Sequence, residues 1–189
     1  MNNSDVIKII GISGSVRTGS YNLGILRAAG EMLPEGTSLD IAEINDIPLF
    51  SQEAYQQGFS PSVEEFRRKI AAADAILFAT PEYIFSISAR LKNAIEWAYM
   101  RPDPPFFGKP CAIAGATVSP LGSLRGQYQL RQICTGLNTL TINAPQVDIA
   151  DAQNKFDSNG NLTHQPSREL VRQLLVELRT LATRLRVAR

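Results

Sequence analysis

The chain has 189 residues, a length typical of one domain with a single sizeable core. Its 44% hydrophobic and 20% charged residues are those of an ordinary folded protein, which excludes the composition of a disordered chain. Nineteen Lys and Arg residues balance eighteen Asp and Glu residues, so we expect neither nucleic acid nor an anionic membrane as a partner.

The chain carries no targeting or membrane signal that we recognise. No apolar run approaches the roughly 20 residues of a membrane span, and Met1–Asp5 is polar where a secretory signal would be basic and then apolar. We therefore expect a cytoplasmic protein. Cys111 and Cys134 have apolar neighbours and neither C-x-x-C spacing nor clustered His, which argues against zinc or a redox dithiol and favours buried, reduced thiols.

Strands and helices alternate in the first half of the sequence. A continuous apolar run predicts a buried strand at Val6–Ile12, and apolar residues at helical spacing predict a helix at Tyr21–Leu33. A more exposed strand at Leu39–Ile44 follows, because apolar and polar residues alternate there. The next helix is predicted at Val63–Ala73 and the next fully apolar strand at Ala75–Thr80.

The alternation continues in the second half. We predict a helix at Ala89–Tyr99, a buried strand at Pro110–Thr117, a helix at Ser123–Leu137 and a short β-branched strand at Thr139–Ile142. Five strands joined by helices predict an α/β fold: a doubly wound, five-stranded parallel sheet with helices on both faces. Its first, third and fourth strands are expected in the interior.

The C-terminal region is predicted to contain a hairpin and a last helix. The segment Phe156–Leu162 contains an Asn-Gly pair, which favours a tight hairpin turn. It is not a calcium loop, because its Gly stands fourth rather than sixth and no Glu follows at the required position. Ser167 is a plausible N-cap for a helix whose apolar stripe closes the sheet. His164 has no evident Ser or Cys partner, so we interpret it as a surface residue.

The loop after the first strand is suited to one phosphate. Ligands of doubly wound sheets bind beyond the carboxyl ends of the strands, and this loop places Ser15, Arg17 and Ser20 just before a helix N-terminus. It lacks the G-x-G-x-x-G dinucleotide pattern at Ser13, and Ser20-Tyr21 replaces the Lys-[Ser/Thr] pair of an NTP-binding loop. By itself the loop could equally be a Ser- and Gly-rich turn that caps a helix.

Two further loops follow the third and fourth strands, and together the three resemble one family. The segment Gly14–Asn22 has the G-S-x-R-x-x-S-x-N pattern, Pro81–Tyr83 reads P-E-Y, and Leu91–Trp97 begins leucine-lysine-asparagine. In this order they resemble the NADPH-dependent FMN reductase family of the flavodoxin-like superfamily, particularly its quinone, chromate and azo-dye reductases. The resemblance covers almost the whole chain.

This resemblance implies a flavodoxin-like sheet of strand order 2-1-3-4-5 with bound FMN. It also implies NAD(P)H as electron donor, with NADPH favoured, a small acceptor (a quinone, free flavin, chromate or azo compound), and a homodimer or homotetramer. Because FMN carries the chemistry, we expect no catalytic side chain and no metal. The residues expected to bind FMN are Ser13, Ser15, Arg17, Ser20, Tyr21, Asn22, Pro81, Glu82, Tyr83, Ile84, Ser119 and Gly122.

The sequence departs from the family at two places in the second loop. Ile84 stands where family members commonly have Asn, and Ser88-Ala89 where they have Pro-Gly, so we expect a more apolar flank beside the flavin. Tyr83 is expected to contact the flavin. Glu82 is interpreted as a backbone position of the turn whose side chain serves a subunit contact.

Two other functions stay open at this point. One is a non-enzymatic FMN-binding electron carrier or redox-sensing module, which would hold FMN without oxidising NAD(P)H. The other is a protein whose loops bind a different phosphate ligand or a partner protein.

Overall fold

The apolar runs form the central strands of a parallel sheet, because a strand covered by helices on both faces buries almost every side chain. In the computed structural model, which describes residues 6–187, β3 (Ala75–Ala79) and β4 (Pro110–Ala116) are buried at every position. Strand β1 (Ile7–Ser13) is exposed only at Lys8. Strand β2 (Thr37–Ala42) alternates in burial and lies at one edge.

All strands are parallel and follow the predicted order 2-1-3-4-5, which is confirmed. The fifth position differs in detail, because two short strands fill it. Strand β5 (Leu140–Thr141) pairs with the start of β4, and β6 (Val147–Ile149) pairs with its end. Pro145 lies in the interruption and has no N–H group to donate to a ladder, which explains why one continuous strand does not form.

Helices cover both faces of the sheet, as predicted. Helices α3 (Pro61–Ala72), α4 (Ala89–Tyr99) and α5 (Leu124–Gly136) bury residues in one core cluster, while α1 (Tyr21–Glu31) and α6 (Gln165–Val187) bury residues in the other. The short α2 (Gln52–Gln56), which was not predicted, follows β2. Serine side chains cap α1 to α4 by accepting from the third backbone N–H of each helix; they are Ser20, Ser51, Ser60 and Ser88.

The C-terminal predictions are confirmed for the hairpin and wrong for the helix start. Phe156 and Leu162 form an antiparallel bridge, and Gly160 closes the turn with a φ of 74°. Helix α6 begins at Gln165, so Ser167 is not its N-cap; the Ser167 hydroxyl lies 2.9 Å from His164 Nδ1. Pro166 explains the earlier start, since proline is favoured in the first turn of a helix.

Both cysteines are buried and free, as predicted. Within residues 6–187, no helix has the length and apolar character that crossing a membrane requires.

Candidate active site

The loops that follow β1, β3 and β4 enclose a cleft of about 330 Å³ at the carboxyl edge of the sheet. Its lining includes the predicted residues Ser15, Arg17, Tyr21, Asn22, Pro81, Glu82 and Tyr83. Two larger surface cavities, of about 500 and 570 Å³, contain none of the predicted residues. We therefore take the smaller cleft as the candidate site, because it is where the separate sequence motifs converge.

The first loop, residues 14–20, is tied to the neighbouring elements at its start. The Gly14 N–H donates to the Ala79 carbonyl at 2.8 Å, and the Ser88 hydroxyl donates to the Gly14 carbonyl at 2.5 Å. A Cβ atom at Gly14 would lie 3.0 Å from Cδ of Pro81, so even alanine there would require the neighbouring side chains to shift slightly. The Ser13 hydroxyl bonds to the backbone of Ser15 and so shapes the loop.

The rest of the first loop offers free donors. The amides of Val16–Gly19 find no hydrogen-bond acceptor among residues 6–187, and these four residues are exposed. The positive end of the α1 dipole follows directly. The Ser20 hydroxyl accepts from the Leu23 N–H at 3.2 Å, so Ser20 caps the helix instead of lining the cleft. The loop thus has the character of an anion site.

Arg17 is held only loosely by its own chain. Its Nη2 lies 3.4 Å from the Gly19 carbonyl, and its guanidinium carbon lies 5.1 Å from the centre of the Tyr21 ring. Most of its donors therefore remain available to an anion in the cleft.

Asn22 lines the cleft, but its amide is already used within the chain. Its Nδ2 donates to the Ala116 carbonyl at 3.0 Å, and its Oδ1 accepts from the Ala116 N–H at 3.0 Å. Because this pair of bonds is buried, Asn22 ties the start of α1 to the end of β4.

The second loop contains a two-residue turn with an unusual backbone. Tyr83 and Ser86 exchange backbone hydrogen bonds of 2.9 and 3.0 Å, and the two residues between them have positive φ angles, 47° for Ile84 and 63° for Phe85. A branched or bulky residue rarely adopts this conformation. Ile84 is 97% exposed and lies outside the cleft lining, whereas Tyr83 lies within it.

Glu82 fixes this turn against the N-terminus of α5. Its side chain is only 5% exposed and accepts from the backbone N–H groups of Arg125 and Gly126 at 2.8 and 3.2 Å. It also accepts from Arg125 Nε at 2.6 Å and forms an ion pair with the same guanidinium. The interpretation of this side chain as a subunit contact is therefore corrected: its carboxylate is committed within its own chain.

Arg125 and Gly126 complete the support of the turn. The guanidinium carbon of Arg125 lies 3.9 Å from the centre of the Phe85 ring, a cation–π contact. A Cβ atom at Gly126 would lie 3.1 Å from the Pro81 carbonyl oxygen and 3.2 Å from that of Ser86. Glycine here allows α5 to approach the turn closely.

The third loop contributes different residues from those predicted. Ala116, Thr117 and Val118 line the cleft, whereas Ser119 and Gly122 do not. The Ser119 hydroxyl donates to the Gly122 carbonyl at 3.1 Å, so these two residues shape the loop. The rule that ligands bind directly beyond a strand's carboxyl end would have identified Thr117 and Val118, since β4 ends at Ala116.

The hairpin of residues 156–162 supports the first loop from outside the cleft. A Cβ atom at Gly160 would lie 2.8 Å from the Gly19 carbonyl oxygen, and one at Gly24 would lie 2.0 Å from the Gly160 oxygen. Arg27 Nη2 donates to the Gly160 carbonyl at 2.8 Å. The hairpin therefore packs directly on α1 and on the loop that precedes it.

One titratable group behind the third loop has a shifted pKa. Burial raises the pKa of Asp148 above its ordinary value; the charge of Arg131 opposes this shift and that of Glu82 adds to it. Asp148 Oδ1 accepts from Gln127 Nε2 at 2.6 Å.

Comparisons with known proteins agree on one family. The family model of NADPH-dependent FMN reductases matches residues 7–154. The chain is 49% identical to an NAD(P)H-dependent FMN reductase of Pseudomonas aeruginosa, with 97% of this chain and 99% of that one covered. It is 40% identical to an NADPH:quinone oxidoreductase of Arabidopsis thaliana, with coverage of 95% and 94%.

A similar solved structure is FerB, a flavoenzyme NAD(P)H:(acceptor) oxidoreductase from Paracoccus denitrificans. Its TM-score is 0.84 at 23% identity, and the match covers 95% of this chain and 98% of that one. The sheet order and this likeness define a flavodoxin-like fold. Because the family model matches residues 7–154, the chain belongs to the NADPH-dependent FMN reductases. It is an oxidoreductase of that class, with FMN and NAD(P)H as its cofactors.

Proposed function

We propose that the 189 residues form one domain that binds FMN in the cleft and passes electrons from NAD(P)H to a small acceptor, with quinones preferred over chromate and azo compounds. The observation that carries this proposal is the convergence of three loops on one cleft, whose lining includes Arg17 from the first loop, Tyr83 from the second and Val118 from the third. Relatives named as quinone oxidoreductases support the preferred acceptor.

The first loop fits the phosphate of FMN. Val16–Gly19 provide N–H groups that have no acceptor among residues 6–187. Helix α1 adds the positive end of its dipole, and Arg17 adds a charge whose donors make one long hydrogen bond within the described chain. Ser15 lines the same part of the cleft. These residues would hold the phosphate without any rearrangement of the bonds within the loop.

The second and third loops are suited to hold a flat ring. Pro81 and Tyr83 of the second loop line the cleft together with Thr117 and Val118 of the third loop. When bound, FMN supplies hydride acceptance and electron delivery, which protein side chains cannot. The task of this chain is to hold the ring and keep one face open to donor and acceptor in turn. Tyr83 and Val118 are 54% and 62% exposed, so both present apolar surface to a planar acceptor.

We also propose that the protein works as a homodimer or homotetramer. Ile84 and Phe85 are exposed by 97% and 62% beside the cleft, and large exposed apolar side chains commonly mark interfaces. Sizing chromatography coupled to an activity assay tests this proposal, and a fully active monomer would contradict it.

Anaerobic addition of NADPH, and then of NADH, to FMN-loaded protein tests the reaction. We expect rapid bleaching of the flavin absorbance, followed by recovery when a quinone is added in the absence of oxygen. Chromate and an azo dye at equal concentration should restore the absorbance more slowly. If FMN binds but does not bleach, the protein is an electron carrier and not a reductase. Equal rates for all acceptors would refute the preference for quinones.

A further inference from the structure

The two cysteines lie in contact although they are distant in sequence. Cys111 is in the first half of β4 and Cys134 is in the last turn of α5, and their sulfur atoms are 3.8 Å apart. Both side chains are 0% exposed, and both thiols are free. The opposite ends of the same two elements reach the cleft, because β4 ends at Ala116 and α5 begins beside Glu82. The cysteine pair is therefore separate from the candidate active site.

The two thiols have different surroundings. The hydrogen bond with the Cys111 thiol lowers the pKa of Cys134 against the effect of burial, and the hydroxyls of Thr139 and Thr141 and the charge of Arg131 lower it further. Burial raises the pKa of Cys111. Cys134 also lies beside the exposed Thr135 and Gly136 at the end of α5, so a reagent would reach its sulfur before that of Cys111.

A small local opening would expose Cys134. The residues that follow it, Thr135 and Gly136, are exposed, and α5 ends there. The neighbouring β5 has only two residues, of which Leu140 is 43% exposed. Short edge strands and helix ends open at low free-energy cost, so a small oxidant can reach the sulfur without global unfolding.

Contrary to the expectation from sequence spacing, we propose that Cys111 and Cys134 are a redox-active pair that a hydroperoxide converts reversibly into a disulfide. The Cys134 thiolate attacks the terminal peroxide oxygen, an S–O bond forms as the O–O bond breaks, and with hydrogen peroxide the leaving hydroxide takes a proton to become water. The Cys111 sulfur then attacks the Cys134 sulfur, an S–S bond forms, and the oxygen leaves as a second water. The two thiols lose two electrons and two protons, and the peroxide is reduced.

The sulfur atoms are already in contact. A disulfide has a sulfur–sulfur distance of about 2.05 Å, so the two sulfurs need to approach by less than about 2 Å from their 3.8 Å contact. The bond would join α5 to β4 and close a loop between positions 23 apart in the sequence. Such a link restricts the unfolded chain and stabilises the folded one.

Mass spectrometry of the FMN-loaded full chain after treatment with hydrogen peroxide tests this proposal. We expect the two free thiols to disappear together, and a non-reducing tryptic digest to contain the peptide ending at Arg125 joined to the one beginning at Gln132. The thermal unfolding midpoint should rise by roughly 5–10 °C. Dithiothreitol should restore both the thiols and the original midpoint.

Two variants serve as controls. If either variant fails to fold, the digest of the wild-type protein still tests the proposal. Cys111→Ala and Cys134→Ala should each prevent the rise in midpoint, and Cys134→Ala should consume peroxide more slowly than Cys111→Ala. Two thiols that stay reduced would overturn the proposal. So would Cys134 oxidised beyond the sulfenic acid with no cross-link, or a disulfide that forms only between chains.

Discussion

Two loops that meet at the cleft are held in opposite ways. In the first loop, the amides of Val16–Gly19 have no acceptor among residues 6–187, and Arg17 makes one long hydrogen bond. In the second, a buried carboxylate at Glu82 accepts from two backbone N–H groups and a guanidinium, and so fixes a turn of unfavourable backbone angles. The first loop leaves donors free for a ligand, whereas the second uses its bonds to hold a position.

Removal of the Glu82 carboxylate should have the largest effect on stability. Glu82→Ala leaves Arg125 and the first amides of α5 without their acceptor, so we expect the free energy of unfolding to fall by about 2–3 kcal/mol in urea denaturation. FMN affinity should fall as well, because the part of the cleft lining formed by Pro81–Tyr83 is no longer bonded to α5.

The control is an exposed pair of the same residue types. Glu65 bonds to Arg68 at 2.6 Å on the surface of α3, with both side chains about half exposed or more. Glu65→Ala should leave the urea midpoint almost unchanged, because exposed ion pairs contribute little. Equal effects of the two substitutions would show that Glu82 is not a structural anchor.

Loss of Arg17 should affect binding rather than stability. Arg17→Ala is expected to weaken FMN binding by about 1.5–3 kcal/mol, since a charge-assisted bond to the phosphate is lost, while the urea midpoint stays constant. Riboflavin, which lacks the phosphate, should lose far less affinity in the same fluorescence titration. Arg90→Ala removes an exposed arginine outside the cleft lining and serves as the control. Equal losses for FMN and riboflavin would remove Arg17 from the phosphate site.

Substitutions at two glycines of α5 distinguish the effect of close packing from that of helix propensity. Gly126→Ala places a Cβ atom near the carbonyls of Pro81 and Ser86, so it should lower both stability, by about 1 kcal/mol, and FMN affinity. Gly136→Ala meets nothing within 4 Å and should raise stability by about 0.5–1 kcal/mol with no change in affinity. If Gly126→Ala bound FMN as the wild type does, the close packing of α5 would have no bearing on the cleft.

Relief of backbone strain at Ile84 should stabilise the protein modestly. Asn tolerates a positive φ far better than Ile, so Ile84→Asn is expected to raise the free energy of unfolding by about 1 kcal/mol. Ile84→Val keeps the branched side chain and should bring no gain. We also expect Ile84→Asn to change flavin affinity or the rates with different acceptors, and an enzyme unaltered in both would refute a role for the apolar flank.

The sequence predicted the sheet because its central strands are apolar at nearly every position, a local property that is visible without the fold. It also predicted much of the cleft, because Arg17, Pro81 and Tyr83 belong to motifs with fixed spacing. It left the role of Ser20 open, since the same hydroxyl in the same loop can bind a phosphate or cap a helix, and the structure shows the cap.

Long-range partners were not predictable in the same way. Glu82 and Arg125 are 43 positions apart, and the cysteines are 23 apart, so no spacing rule connects either pair. The side chain of Glu82 is also buried, although carboxylates in turns are usually exposed. Such contacts depend on the packing of α5 against the sheet, which only the folded chain defines.

The hairpin at residues 156–162 matters for where the protein can be cut. The match to the family model ends at Asn154, which suggests a fragment that would keep every residue of the cleft lining. That fragment would lose the hairpin backbone against which Gly19 and Gly24 pack, and also helix α6, which packs on α1 and one face of the sheet. The minimal unit able to fold therefore extends well beyond residues 7–154, the segment that the family model matches.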